Sequence, residues 1–290
     1  MAHINRRRPE NISGNFYVDS TCISCDTCRW MAPEVFVQVG EQSAVYQQPT
    51  NDTAERRSLA ALLSCPTSSI GTVDRPKNIK EVQQNLPVLV TENIYHCGYH
   101  SEKSYGAASY LIVRPEGNIL VDSPRFVPPL VKNIEAMGGI RYLYLTHRDD
   151  VADHQQYRDH FGCDRILHTD EINADTRSVE IQLSGNEPHQ IADDLLIIAV
   201  PGHTQGHTVL LYNNKFLLSG DHLAWSDNLQ QLIAFRQVCW YSWEAQIKSM
   251  QNLANYEFEW VLPGHGRRYN ADRETMSNQM QQCVAWMLDA

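Results

Sequence analysis

Between residue 108 and the end of the chain, hydrophobic positions follow two patterns: short continuous runs, and positions repeated at helical spacing. Short apolar runs bounded by turn residues predict strands at 108–113, 119–121, 142–145, 195–200, 209–212, 216–218 and 260–262. Apolar positions at helical spacing predict helices at 129–137, 153–161, 243–256 and 273–288. Because strands and helices mix along this region, we expect sheets covered by helices.

A polar stretch, DRPKNIKEVQQNLP at 74–87, separates this region from the first quarter of the chain. Prolines stand near both of its ends, which is typical of a connector. The full length of 290 residues accommodates one large domain, or two domains of which one is small. We therefore predict two domains, at residues 1–82 and 83–290.

The composition narrows the class of protein. Hydrophobic residues make up 42% and charged residues 20%, which gives enough apolar material for a core. The net charge of -10 repels phosphate backbones, so we expect no nucleic-acid partner. The longest apolar run, 195–200, is too short to span a bilayer, and no apolar stretch follows Arg6, Arg7 and Arg8. We expect a cytoplasmic protein without a membrane partner, whose cysteines are thiols or metal ligands.

Four cysteines in the first quarter have the spacing of a cluster site. Cys22, Cys25 and Cys28 follow one another at two-residue gaps, which lets three thiolates surround one face of an iron–sulfur cube. The bacterial run C-x2-C-x2-C-x3-C-P continues with a fourth cysteine, but Ala32 stands there. That fourth cysteine serves the other cluster in two-cluster ferredoxins, so a second cluster lacks a ligand here. Cys65, directly before a proline, is the distant candidate for the first cluster.

Residues 14–72 resemble the single-cluster ferredoxins on this pattern. The resemblance implies one [4Fe-4S] cluster on Cys22, Cys25, Cys28 and Cys65 that transfers single electrons, with a [3Fe-4S] form as the alternative after loss of one iron. Zinc is less favoured because it usually takes cysteines as two separated pairs. A purely structural cluster stays open, since cluster assembly also contributes folding energy. We expect the other four cysteines to be buried, inert thiols.

Histidines and aspartates follow the predicted strands of the second region. The segments are THRDDVADH at 146–154, PGHTQGH at 201–207, SGDH at 219–222 and PGHG at 263–266. Imidazole and carboxylate groups suit zinc, iron or manganese, and the glycines let the backbone approach closely. Together the four segments predict a metal centre at the strand ends.

In this order the segments resemble the metallo-beta-lactamase superfamily, over about residues 88–290. PGHTQGHT, LLSGDHL and LPGHG are most similar to the glyoxalase II-like hydrolases. The resemblance implies an αββα sandwich with the metals at one edge of its two sheets. The expected fold class is therefore α+β, an N-terminal ferredoxin-like domain followed by a metallo-beta-lactamase sandwich.

The first metal motif departs from the family pattern H-x-H-x-D-H. Asp149 stands where the second histidine belongs, and Asp153-His154 match the closing pair only after a two-residue insertion. In the favoured dinuclear geometry, one ion lies on His147, His203 and Asp221, with Asp149 as a further candidate, and the other on Asp153, His154, His265 and a bridging Asp221. In the alternative, one ion lies on His147, His203 and Asp221, the facial triad of non-haem iron. We expect Asp150, His207 and His222 to orient ligands, to pack or to be solvated.

The resemblance implies a metal-dependent hydrolase in which metal-bound hydroxide attacks an ester or thioester carbonyl. Asp153 is the predicted catalytic residue, orienting the hydroxide or accepting its proton. One or two zinc ions are the expected cofactors, with iron as the alternative. The functional alternatives are a non-haem iron oxidoreductase, either persulfide-dioxygenase-like or fed by the cluster, and a cluster-based redox sensor. The expected partners are a small-molecule substrate and a redox protein.

Overall fold

The computed structural model describes residues 2–289, which form two compact units. The first unit holds the residues up to Arg141 together with Ala152–Gly162, and the second holds Tyr142–Val151 together with the residues from Cys163. The strands are β1 (Phe16–Val18), β2 (Phe36–Val39), β3 (Gln42–Val45), β4 (Ile70–Thr72), β5 (Val88–Thr91), β6 (Ile94–His96), β7 (Tyr110–Ile112), β8 (Ile119–Val121), β9 (Tyr142–Tyr144), β10 (Asp164–His168), β11 (Ile181–Leu183), β12 (His189–Ala192), β13 (Leu195–Ala199), β14 (Thr208–Tyr212), β15 (Phe216–Gly220), β16 (Ala224–Ser226), β17 (Gln231–Ile233), β18 (Trp260–Pro263) and β19 (Tyr269–Asn270). The helices are α1 (Thr27–Met31), α2 (Asp52–Ser64), α3 (Ile79–Gln84), α4 (Pro128–Ala136), α5 (His154–Phe161), α6 (Trp243–Leu253) and α7 (Arg273–Asp289).

The N-terminal part of the first unit is built around α2. This helix begins after Asn51, whose side chain accepts a hydrogen bond from the Ala54 amide at 2.9 Å, the contact expected of an N-cap. Leu59 and Ala61 on its buried face pack with strand residues of β1–β4 in one apolar cluster. Ala32 belongs to this cluster and is fully buried, so the position of the missing cysteine is part of the core.

The rest of the first unit contains an antiparallel meander in the order β8-β7-β6-β5. Tyr110 pairs with Val121 and Ile112 with Ile119, which confirms the hairpin predicted between residues 108 and 121. Helix α4 lies within one residue of its predicted bounds.

The second unit contains a six-stranded sheet in the order β12-β13-β14-β15-β18-β19. Strands β15 and β18 run parallel and the other pairs are antiparallel. Helices α6 and α7 pack on this sheet through one apolar cluster, to which α7 contributes Met276, Met280, Cys283 and Met287. These four positions follow helical spacing, which is why the sequence predicted this helix correctly. Strands β9, β10 and β11 pair in parallel.

The stretch predicted as a connector, 74–87, contains a helix instead, α3. Val82 is the buried side chain of this helix, and Ile79 packs against the same apolar cluster around α2. Two apolar positions in a polar stretch give little periodic signal. Strands β5, β6, β10, β11, β12, β16 and β17 were also not predicted, because three to five residues of mixed polarity carry little pattern. The domain boundary near residue 82 stays a prediction. Among residues 2–289, no helix has both the length and the apolar character needed to cross a membrane.

Candidate metal sites

In the first unit, all four cysteines of the predicted cluster site line one pocket. Cys22 and Cys25 come from the loop before α1, Cys28 lies in the first turn of α1, and Cys65 directly follows α2. Two amides point at the sulfurs: the Ser24 amide lies 3.5 Å from the Cys22 Sγ, and the Ser69 amide donates to the Cys65 Sγ at 3.2 Å. Such hydrogen bonds to cluster sulfurs set reduction potentials, so the pocket has the polar contacts that an iron–sulfur site uses.

Burial raises the pKa of the Cys25 and Cys28 thiols and keeps these two protonated when no metal is bound. It raises the pKa of Cys25 to about 11 and that of Cys28 further. Thiolate ligands must lose their protons, and a bound metal centre supplies the positive charge that allows this. The enclosed pocket lined by four sulfurs, together with Val18 and Ile70, therefore fits a cluster.

A segment of the predicted second domain covers the cysteine loop within the same compact unit. The Tyr105 hydroxyl donates to the Ile23 carbonyl at 2.5 Å. Gly106 has a φ of +89°, and a Cβ there would lie 2.7 Å from the Cβ of Cys25. Thr27 hydrogen-bonds His100 at 3.0 Å and lies 3.3 Å from the Cys25 Sγ. Sequence reasoning missed this cover because its residues are about 80 positions away from the cysteines.

In the second unit, the predicted metal-binding residues stand where strands end. Because β15 and β18 are parallel neighbours, Asp221 and His265 leave the sheet side by side, and the Gly264 amide donates to the Gly220 carbonyl at 2.8 Å. His147 lies in the loop after β9, and His203 in the loop between β13 and β14.

Four donor atoms converge in these loops. The Nε2 atoms of His147 and His203 lie 3.9 and 3.5 Å from Asp149 Oδ2, and 3.8 and 3.7 Å from Asp221 Oδ2. Tetrahedral ligands at about 2.1 Å from one ion would be about 3.4 Å apart. Within residues 2–289, neither Nε2 has a hydrogen-bond partner, although both imidazoles are buried. A buried polar atom of this kind calls for a ligand, so the four residues fit a divalent ion.

Asp221 presents its second oxygen to a different neighbour. Its Oδ1 accepts a hydrogen bond from His265 Nδ1 at 2.7 Å. Asp150, only 1% exposed, forms a second ligand-type group with His147 and Asp221. A Cβ at position 264 would lie 3.0 Å from Asp221 Oδ1 and 3.1 Å from Asp150 Oδ2, so the glycine keeps the space between these oxygens open. Asp150 and Asp221 thus present carboxylate oxygens to one shared space.

The electrostatics of the site favour a neutral His147 ring and ionised Asp149 and Asp221 carboxylates. Burial lowers the pKa of His147 to about 4, which leaves a lone pair on the ring at neutral pH. Contact with His203 lowers the pKa of Asp149. Burial alone would raise the pKa of Asp221, but His265 and His147 hold it well below its usual range. These are the protonation states that a metal ion requires.

The predicted pair Asp153 and His154 belongs to the first unit. Asp153 Oδ1 pairs with Lys103 Nζ at 3.0 Å, and Oδ2 accepts from the Phe126 amide at 2.9 Å. His154 is the buried first residue of α5. Both carboxylate oxygens of Asp153 are thus engaged by its own unit, and the catalytic and ligand roles of the pair stay predictions.

His207 supports the ligands of the second unit. Its ring stacks on that of His147 with centroids 4.8 Å apart, and its Nε2 accepts from the Asp221 amide at 3.2 Å. Burial lowers the pKa of His207 well below its ordinary value, so the ring is neutral and its Nε2 can accept this hydrogen bond. The role expected from the sequence, orienting ligands or packing, matches these contacts.

The buried histidines should make the metal-free second unit sensitive to acid. Burial lowers the pKa of His147 to about 4 and that of His222 to about 3, so the unfolded chain binds protons first as the pH falls below 6.5. Stability is complete above that pH and decreases below it, by about 2 kcal/mol per histidine at pH 5. Urea unfolding followed by tryptophan fluorescence measures this, because every tryptophan except Trp30 lies in the second unit.

A matched pair of variants checks this expectation. His222→Asn should make the free energy of unfolding less dependent on pH, whereas His160→Asn, at an exposed position of the first unit, should not. An unchanged dependence in His222→Asn would contradict the account.

Comparison with known proteins defines the class in two parts. Residues 18–72 match the family described as the 4Fe-4S single cluster domain of ferredoxin I. Among solved structures, VMB-1 superposes with a TM-score of 0.55 at 17% identity, over 69% of this chain and 95% of its own. The DIM-1 metallo-beta-lactamase exposed to ceftazidime gives 0.53 at 18% identity, over 68% and 95%. A metallo-beta-lactamase from Pontibacter korlensis gives 0.52 at 16% identity, over 70% and 98%.

The chain therefore joins a single-cluster ferredoxin segment to a metallo-beta-lactamase fold. This confirms the single-cluster ferredoxin resemblance of the N-terminal segment, and it confirms the α+β fold class and the metallo-beta-lactamase fold predicted from the sequence. No curated protein matches the chain.

Proposed function

We propose that this protein is a metal-dependent hydrolase of ester or thioester substrates that carries an electron-transferring [4Fe-4S] module. The observation that carries the proposal is the convergence of His147, Asp149, His203 and Asp221, with nitrogen–oxygen separations of 3.5–3.9 Å. No family match extends over these residues, so the proposal depends on their geometry and on the fold.

The donor atoms divide into two ligand sets that share one carboxylate. We assign one ion to His147, Asp149, His203 and Asp221, and a second ion to Asp150, Asp221 and His265. Asp150 replaces the predicted Asp153 and His154 in this assignment, because it is buried in the second unit beside Asp221 while Asp153 is engaged by Lys103. Asp221 would contribute to both sets, since its two oxygens face different neighbours.

A divalent ion bound there would lower the pKa of water to about 7 and polarise a carbonyl oxygen. The protein fixes the positions of the ligands beforehand. Thr146 Oγ1 hydrogen-bonds His147 Nδ1 at 2.9 Å, which directs Nε2 toward the carboxylates. Asp149, with 47% of its side chain exposed, is the carboxylate of the group that reaches the adjoining pocket.

That pocket suggests the shape of the substrate. Its volume of about 320 Å³ is at the lower end of the range for small-molecule sites, and it is lined by Arg148, Asp149, Thr204, Gln205, Trp240 and Tyr241. Trp240 is 65% exposed, yet its amide donates to the His203 carbonyl at 2.8 Å, so a rigid loop presents an apolar ring beside a ligand. A substrate with an apolar or aromatic arm fits this surface.

Trp240→Ala should weaken binding of such substrates without stopping turnover. We expect KM for an aryl ester to rise about tenfold, the equivalent of about 1.4 kcal/mol of lost ring contact, with kcat nearly unchanged. Steady-state kinetics of the metal-loaded protein measures this. Tyr46→Ala, which removes a 46% exposed aromatic ring in the first unit, is the control. A wild-type KM in Trp240→Ala would rule out this surface as the binding site.

A substrate panel tests the hydrolase proposal. Anaerobically purified, zinc-loaded protein is assayed with esters, thioesters, lactones and phosphoesters, with the cluster oxidised and then reduced. The proposal expects turnover of an ester or thioester at the same rate in both states. No turnover of any panel member would overturn it.

The fused cluster segment favours one further candidate, a non-haem iron oxidoreductase. Two histidines with carboxylates also suit iron(II), and a one-electron carrier is of more use to a redox centre than to a hydrolase. In this case a redox protein partner would supply electrons to the chain. Iron in excess of the cluster, together with oxygen uptake, would establish this function, whereas zinc under iron-replete expression would exclude it.

A further inference from the structure

Glu171 is a fully buried carboxylate that contacts two metal-binding loops at once. It ends the short 3-10 helix Thr169–Glu171, which follows β10. Its Oε2 accepts from the backbone amide of Arg148 at 2.9 Å and from Arg148 Nε at 3.0 Å. Its Oε1 accepts from the Gly206 amide at 2.7 Å. The backbone amides of the two loops thus donate to different oxygens of the same carboxylate.

The two amides are close in sequence to the donor residues. Arg148 stands between His147 and Asp149, and Gly206 lies three residues after His203 in the same loop. The close approach also explains the glycine: a Cβ at 206 would lie 2.6 Å from His168 Nδ1 and 3.0 Å from Glu171 Cγ. Burying a carboxylate is unfavourable unless its oxygens accept hydrogen bonds. Glu171 accepts from four donors, of which Arg148 Nη2, at 3.3 Å, is the fourth.

We propose that Glu171 is a positioning residue that clamps these loops together and so sets the spacing between His147, Asp149 and His203. The inference depends on the proposed metal centre, but not on the reaction performed there. Glu171 binds the loop backbone beside the donor residues and acts on the four donor atoms through that backbone. Removing the clamp should therefore weaken metal binding more than it disturbs the fold.

Glu171→Gln is the sharpest test because it keeps the shape and removes one acceptor. The amide has a single oxygen, so its nitrogen must face either the Arg148 amide or the Gly206 amide, and that loop loses its hydrogen bond. Loss of a hydrogen-bond partner that positions a metal ligand typically lowers the affinity for the metal 10- to 100-fold. We expect the zinc Kd to rise about tenfold, measured by equilibrium dialysis of the cluster-containing full chain at buffered free zinc.

The chain offers a matched control in Glu180. Its Oε2 accepts from the Arg165 amide and from Arg165 Nε, both at 2.9 Å, and its Oε1 accepts from Nη2 at 3.0 Å. This repeats the Glu171–Arg148 contacts in the same unit, but Arg165 lies in β10 and not in a metal-binding loop. Glu180→Gln should lower the melting temperature while leaving the zinc Kd within about twofold of wild type.

The clamp predicts a higher zinc Kd in Glu171→Gln and an unchanged zinc Kd in Glu180→Gln. An unchanged Kd in Glu171→Gln, or equal shifts in both variants, would overturn it. If Glu171→Gln does not fold, Gly206→Ala decides instead. Its methyl group would meet His168 Nδ1 and Glu171 Cγ, displace the 203–206 loop from Glu171 and so raise the Kd in the same way. A wild-type protein that binds zinc but hydrolyses no substrate would overturn the hydrolase and leave the clamp in place.

Discussion

Asp221→Asn should empty the metal centre of the second unit and abolish hydrolysis. Asp221 Oδ2 faces His147 and His203, while Oδ1 contacts His265. Asparagine keeps the shape but offers one neutral oxygen, so both ions lose a charged ligand at once. We expect the ions beyond the cluster to be lost and turnover to fall by at least about 100-fold. Removing a residue that only hydrogen-bonds a metal ligand costs up to about 100-fold, and loss of a ligand itself should cost at least as much.

Metal analysis of the purified variant measures this directly. Asp227→Asn is the control, since Asp227 lies in the same unit and pairs with Arg267 at a largely exposed position. That variant should keep its metal and its activity. Full metal occupancy in Asp221→Asn would mean that the converging donor atoms are not the binding site.

Cys65→Ala should remove the iron–sulfur cluster from the first unit. Cys22, Cys25 and Cys28 lie within seven residues at the start of α1, and Cys65 lines the same pocket from the end of α2. Without it a cubane cluster lacks one thiolate ligand, so we expect iron and sulfide to fall from about four per chain to near zero under aerobic purification. The broad absorption of sulfur-to-iron charge transfer disappears with them.

Cys97→Ala provides the comparison for this variant. Cys97 is fully buried in the same unit, and burial raises the pKa of its thiol well above the ordinary value, but it does not line the cysteine pocket. Its cluster should be intact. A stable four-iron cluster in Cys65→Ala, or loss of the cluster in Cys97→Ala, would show that Cys65 is not the fourth ligand.

The residue types of both candidate sites could be predicted because they occur in short sequence segments. Three cysteines at two-residue gaps, and histidines that directly follow apolar runs, are local patterns. The parallel pairing of β15 and β18 then brings Asp221 and His265 together, as expected for residues that directly follow neighbouring strands. Helix α7 was predicted for the same reason, since its buried methionines recur at helical spacing.

Contacts between distant segments could not be predicted. The path of the loop after β9 buries Asp150 beside Asp221, whereas the motif comparison favoured Asp153 and His154. The cover of the cysteine loop by Tyr105 and Gly106 likewise depends on packing across about 80 residues. Periodicity describes which face of an element is buried, and it carries no information on where an irregular loop directs its side chains.

Counting iron, sulfide and zinc together in the full chain tests the central claim most directly. After anaerobic purification and zinc supplementation, the account predicts about four irons with about four sulfides and up to two further zinc ions per chain. Glu171→Gln and Asp221→Asn should lower only the zinc, and Cys65→Ala only the iron and sulfide. A chain that binds no ion beyond the cluster under these conditions would contradict the account.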